Sequence, residues 1–178
     1  MKRKFVSLIV AALLSAPFVC SASDLCYEYI KGKKYNDAIK ECSRQINRET
    51  RVDDVAVAYV NRGLAYVGIG RYDLAIDDYA TAIKAKPDCE NAYFNRGNAY
   101  YALERYSQAI DDYNKVIELN PRNPYSYYNI ACIRSVEACQ WLKKSVENGY
   151  KDWDSLKIDK DLDNIRSSNC YKEIMKKK

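Results

Sequence analysis

Histidine is absent from the 178 residues. That removes the commonest general base, the usual catalytic dyads and most zinc sites. No Cys-x-x-Cys occurs, so the usual signature of a thiol oxidoreductase is missing. There is no Asn-x-Ser/Thr sequon, and beyond the first two dozen residues no apolar run is long enough to span a bilayer. Glycine is scarce, with 6 in the chain. The Gly68–Gly70 stretch lacks the residues that follow in a nucleotide loop, so it reads as a turn. These absences argue against an enzyme, a metal site or a resident cofactor, and for a protein that works by binding.

The first residues are a different matter. MKRK is a basic start, FVSLIVAALLSAPFV is an apolar run, and CSAS supplies small residues. That order reads as a secretory signal peptide over residues 1–22, cut after Ala22 or Ser23. The apolar run falls short of the roughly 20 residues a spanning helix needs. Cys20 follows Val19, which is not the small residue a lipoprotein site wants, so Cys20 leaves with the leader. Without Lys2, Arg3 and Lys4, 26 basic residues face 24 acidic ones, a net charge near +2. Nothing in that balance calls for nucleic acid or an anionic membrane. The expected location is outside the cytoplasm, periplasmic or secreted.

Two stretches nearly repeat each other. NRGLAYVGIGRYDLAIDDYATAIKAKP runs from Asn61 to Pro87, and NRGNAYYALERYSQAIDDYNKVIELNP from Asn95 to Pro121, 34 residues later. Ala75, Ile76, Tyr79, Ala82 and Ile83 fall on one helical stripe, and Ala109, Ile110, Tyr113, Val116 and Ile117 repeat it. Tyr59, Gly63 and Tyr66, then Tyr93, Gly97 and Tyr100, mark a second helical face. GIGRYD and ALERYS are turns between the halves, and Pro87 and Pro121 close the units. Each unit is two short amphipathic helices folded back on each other. Gly63 and Gly97 let the partner helix approach near Ala75 and Ala109, with tyrosines filling the space beside. One such pair cannot bury both apolar faces, so it must stack on a copy of itself. Asp77, Asp78, Asp111 and Asp112 lie just off the stripe, where solvated charge is expected.

Weaker copies flank these two. Ala38, Ile39, Cys42, Gln45 and Ile46 fit the second-helix pattern, with Cys26 twelve residues before Ala38. Ala138, Cys139, Leu142, Ser145 and Val146 fit it again, after a first helix that is short. The Gly, Ala, aromatic and Pro pattern at this period resembles the tetratricopeptide repeat (TPR) family, over essentially the whole mature chain. The segment from Trp141 to Ser167 is similar to the cap that often closes bacterial TPR arrays. The resemblance implies an all-α, right-handed superhelical solenoid of antiparallel helix pairs. Its divisions are a degenerate repeat at 23–55, repeats at 56–89 and 90–123, a shortened hairpin at 124–148, and a cap with a basic tail at 149–178.

The resemblance also implies where a partner sits. In the TPR family the first helix of each repeat lines a concave groove. Here that places Asn61, Leu64, Asn91, Phe94, Asn95, Asn98, Tyr101, Tyr125, Tyr128 and Asn129 on the lining, an aromatic and amide surface suited to a peptide or helix of another protein. Tyr101 and Tyr128 have a second reading, as packing between adjacent repeats. Some TPR domains grip a C-terminal carboxylate with Lys and Asn. Asn98 and Asn129 match two amide positions of that clamp, but Phe94 and Val60 stand where Lys is expected. Alternatives to a scaffold or adaptor are self-association as a homo-oligomer and thiol–disulfide chemistry through Cys89.

Six cysteines remain after the leader: Cys26, Cys42, Cys89, Cys132, Cys139 and Cys170. Cys26 takes the slot of Gly63 and Cys42 that of Tyr79, so the two lean toward each other across an antiparallel hairpin. They are either bridged or two buried thiols. Cys132 and Cys139 can staple the shortened hairpin, or either can reach Cys170.

Overall fold

The computed structural model describes residues 25–48, 51–134, 138–166 and 168–176. The expected leader at 1–22 and the end of the basic tail lie outside them. The described residues are helical throughout, with no strand among them. The helices are α1 (Leu25–Lys31), α2 (Tyr35–Arg48), α3 (Val52–Gly68), α4 (Tyr72–Ala85), α5 (Glu90–Ala102), α6 (Tyr106–Leu119), α7 (Pro124–Ile133), α8 (Ala138–Glu147), α9 (Trp153–Ile158), α10 (Asp163–Arg166) and α11 (Asn169–Met175). The chain forms two compact units divided after Asp112, within α6.

In the first unit the repeat builds one hairpin turn three times, after α1, α3 and α5. Each turn is closed the same way: Lys34 donates to the Tyr29 carbonyl, Arg71 to Tyr66 and Arg105 to Tyr100, at 2.8, 2.9 and 2.9 Å. This closure needs a left-handed residue just past the first helix. Gly70 supplies it at φ +75°, while Lys33 and Glu104 adopt it at φ 56° and 60°. A side chain there costs on the order of 1 kcal/mol.

Between the helices, Gly63 carries the contact that sets their spacing. A Cβ added to Gly63 would meet the Tyr79 ring at 2.5 Å, and Tyr79 is itself fully buried. The close approach is therefore made by the Tyr79 ring itself, rather than by Ala75 with tyrosines beside it. Ala75, Ala92, Ala99, Ala56 and Ala82 keep the surrounding core thin, with Val60, Val67 and Ile76 completing it. Gly97, Ala109 and Tyr113 are also buried. Pro87 and Pro121 are exposed, two residues past the ends of α4 and α6. They stop helices, which lack an amide donor at proline, and do not fill the core.

The carboxylate pairs split. Asp77 and Asp111 are exposed as expected, but Asp78 and Asp112 are buried, each 5% exposed. Arg62 donates to both oxygens of Asp78 at 2.8 and 2.7 Å, and Arg96 to both oxygens of Asp112 at the same distances. Each guanidinium also lies over two tyrosine rings, Tyr59 and Tyr66 for Arg62, Tyr93 and Tyr100 for Arg96. Burial pushes the Asp112 carboxyl above its ordinary value against the pull of Arg96. A bidentate guanidinium is what makes burial of these carboxylates tolerable.

In the second unit, α7 and α8 form a hairpin whose open face is covered by residues 150–175. Leu142, Tyr150, Leu156, Leu162, Ile165, Tyr171 and Ile174 form its core with Ala131. Asn123 caps α7, accepting from the Tyr125 and Ser126 amides, and Asp152 caps α9. Ala131 stands where Gly97 stands one repeat earlier, and the Arg–Asp pair has no counterpart because Ile130 and Trp141 occupy those positions.

Two stability measurements on the leaderless chain follow. Gly63→Ala, which drives a methyl into the Tyr79 ring, is expected to lower the free energy of unfolding in urea by about 2 kcal/mol. An unchanged midpoint would place the close contact elsewhere. Arg62→Ala leaves Asp78 buried and unpaired, an expected loss of about 3 kcal/mol, whereas Arg62→Met with Asp78→Leu recovers most of it. If Arg62→Ala matches the parent, the pair is solvated in solution.

Candidate functional site

The face of interest in the first unit is built by α3 and α5, first helices of successive hairpins, which come into contact. On α5, Asn91, Phe94, Asn95 and Tyr101 are half-buried, while Asn98 is 5% exposed. Helical spacing puts Asn91, Phe94, Asn98 and Tyr101 on one stripe. Tyr101 meets the Tyr106 ring edge-on at 5.6 Å. On α3, Asn61 is buried at 4% and Leu64 is half-buried. Leu64 packs against two cores, that of the α3–α4 hairpin and that of the α1–α2 hairpin. The half-exposed row on α5 is thus the part of the expected lining that a partner can reach without displacing core.

The remaining lining residues belong to the second unit. Tyr125 is 37% exposed and meets Tyr150 edge-on at 5.9 Å. Tyr128 stacks on Tyr150 with centroids 4.6 Å apart, and its hydroxyl donates to the Asp159 carboxylate. Burial holds the phenols of Tyr128 and Tyr150 well above their ordinary range, so both stay neutral and Tyr128 can donate. Tyr128 therefore packs inside its own unit, against the segment that follows α8. Asn129 is half-buried on α7.

The described cysteines sort into two close pairs, with Cys89 and Cys132 outside them. Cys26 and Cys42 are fully buried with Cα atoms 5.4 Å apart, and Cys139 and Cys170 have Cα atoms 6.1 Å apart. Both separations suit a disulfide. Cys132 does not staple the α7–α8 hairpin; its sulfur lies 3.9 Å from Asp159 Oδ2. Cys89 precedes α5, and burial pushes its thiol up, away from the reactive thiolate. Among the described residues no group of three or more His, Cys, Asp or Glu is placed to hold a metal, and no helix is long and apolar enough to cross a membrane.

The sequence carried one signal outside the apolar stripe. Arg62 and Arg96, with Asp78 and Asp112, recur at the same 34-residue interval as the glycines. Recurrence alone does not separate them, because Asp77 and Asp111 recur as well and are exposed.

A family model described as tetratricopeptide repeat matches residues 90–123, and one described as TPR repeat matches 63–104. No curated protein matches the chain in sequence. Among solved structures, the crystal structure of MamA is similar at 26% identity and a TM-score of 0.64, covering 78% of this chain and 77% of that one. The first TPR domain of human RPAP3 is 25% identical at a TM-score of 0.57, covering 80% of this chain and 98% of that one. The second TPR of Spaghetti (RPAP3), bound to the HSP90 peptide SRMEEVD, is 29% identical at 0.51, over 55% and 87% of the two chains. A hairpin repeated at 34 residues, matched by two repeat models and shared with these folds, makes residues 63–123 of the chain tetratricopeptide repeats.

Proposed function

We propose that the protein is a non-enzymatic interaction module, exported from the cytoplasm, that holds a peptide segment or helix of another protein along α3 and α5. The observation that carries this reading is the half-exposed row of Asn91, Phe94, Asn95 and Tyr101 on α5, beside α3. Aromatic rings there give apolar contact, and the amides can pair with a guest backbone. Support comes from a similar domain that was solved with a peptide bound. Phe94 and Val60 stand where a carboxylate clamp carries Lys, so the guest is an internal, apolar segment rather than an acidic C-terminal tail. A short groove of this kind supports affinity on the order of micromolar.

The test begins with peptides selected from a random display library on the leaderless chain. Phe94→Ala with Asn95→Ala is expected to weaken the selected peptide at least about tenfold, with an unchanged melting temperature. Equal affinity in parent and variant would move the site off α5. SRMEEVD is expected to bind no better than its scrambled version; a preference for the native order would restore the clamp. Export has its own readout. The full chain produced in a bacterial host should be recovered starting at Ser23 or Asp24, and recovery of the intact amino terminus from the cytoplasm would refute the leader.

A further inference from the structure

The first hairpin is the same unit as the next two, yet it lacks both of their ties. Its turn closes identically, through Lys34 to Tyr29 and a left-handed Lys33. Thirty-seven residues separate it from the second hairpin, so Leu25 stands at the Arg62 position and Glu41 at the Asp78 position. Leu25 is 48% exposed and cannot pair with a carboxylate. Glu41 instead bonds Arg44 on its own helix. The Gly63–Tyr79 contact is gone as well, with Cys26 and Cys42 in its place. The described part of α1 has 7 residues, against 17 in α3.

What remains in that core is Cys26, Ile30, Ala38 and Cys42, closed over Ala65 of α3 with Leu64 beside it. The hairpin also docks through the Tyr35 ring, which lies on Gly68, and through Ser43, which accepts from Arg62 at 3.0 Å. The two sulfurs sit at the centre of this core and their Cα atoms are 5.4 Å apart.

We propose that a Cys26–Cys42 disulfide replaces both non-covalent ties, so that α1–α2 stays folded on α3 when oxidised and is released when the bond is reduced. The bond forms by exchange with a small-molecule thiol–disulfide couple such as glutathione. One cysteine thiolate attacks the oxidised couple, forming a mixed disulfide and expelling one thiolate; the second cysteine then attacks the mixed disulfide and expels the other. The protein loses two protons and two electrons, and one disulfide of the couple becomes two thiols. Closing a loop of 16 residues removes much of the freedom of the open hairpin. Release uncovers Leu64, Ala65 and Gly68 on α3, so the redox state sets how much of α3 is covered, whatever the guest of the neighbouring α5 row.

Hydrogen exchange read by mass spectrometry tests this on the leaderless chain, oxidised with glutathione or reduced with dithiothreitol. Peptides from 25–48 should exchange about a hundredfold faster after reduction, while those from α4 and α5 keep their protection. Peptides from 138–176 report separately on Cys139 and Cys170. Replacing Cys26→Gly together with Cys42→Tyr installs the pair found at Gly63 and Tyr79, and should leave 25–48 protected with or without reductant. The proposal is overturned if the reduced parent keeps its protection at 25–48, or if all peptides lose protection together. Alkylation of Cys26 or Cys42 in the oxidised folded chain would also overturn it. The comparison on the parent decides the matter even if the double variant folds poorly.

Discussion

Tyr79 lies on the bare backbone of Gly63, and that contact fixes how closely two helices of a hairpin can run. A ring needs a flat, empty surface, and in a helix only glycine offers one. Once the ring is seated, the neighbours must be small, which is why alanine dominates the core of the first unit. A thin core lets successive hairpins stack at short spacing and brings α3 and α5 into contact. The face they share exists because the helices behind it are held so tightly.

Charge secures what packing sets. Arg62 and Arg96 reach across their hairpins to a buried carboxylate while lying over two tyrosine rings. Such a pair adds little net stability over an apolar replacement, but loss of one partner leaves a buried charge uncompensated. The first hairpin, without glycine or arginine at those positions, places Cys26 and Cys42 there, with Cα atoms 5.4 Å apart.

Much of this was legible in the sequence because a repeated period reports packing directly. The hairpins, their turns and the buried glycine and tyrosine positions follow from spacing alone. Asp78 and Asp112 were not legible as buried, since an acidic residue beside a stripe is ordinarily solvated and its arginine stands sixteen residues away. Asn61 and Asn98 were assigned to the lining by helical register, which says which side a residue faces but not how deeply neighbours cover it. Cys139 and Cys170 come together through the path of α9 to α11, a set of short helices with no periodic signal.

The central claim is that partners are held on α5 and not on the outer helices. A photoreactive phenylalanine analogue placed at Phe94, and separately at the exposed Asp77 on α4, tests it in cells that make the protein. The account predicts one discrete crosslinked adduct from position 94 and none from position 77. Adducts from position 77 with none from position 94 would contradict it.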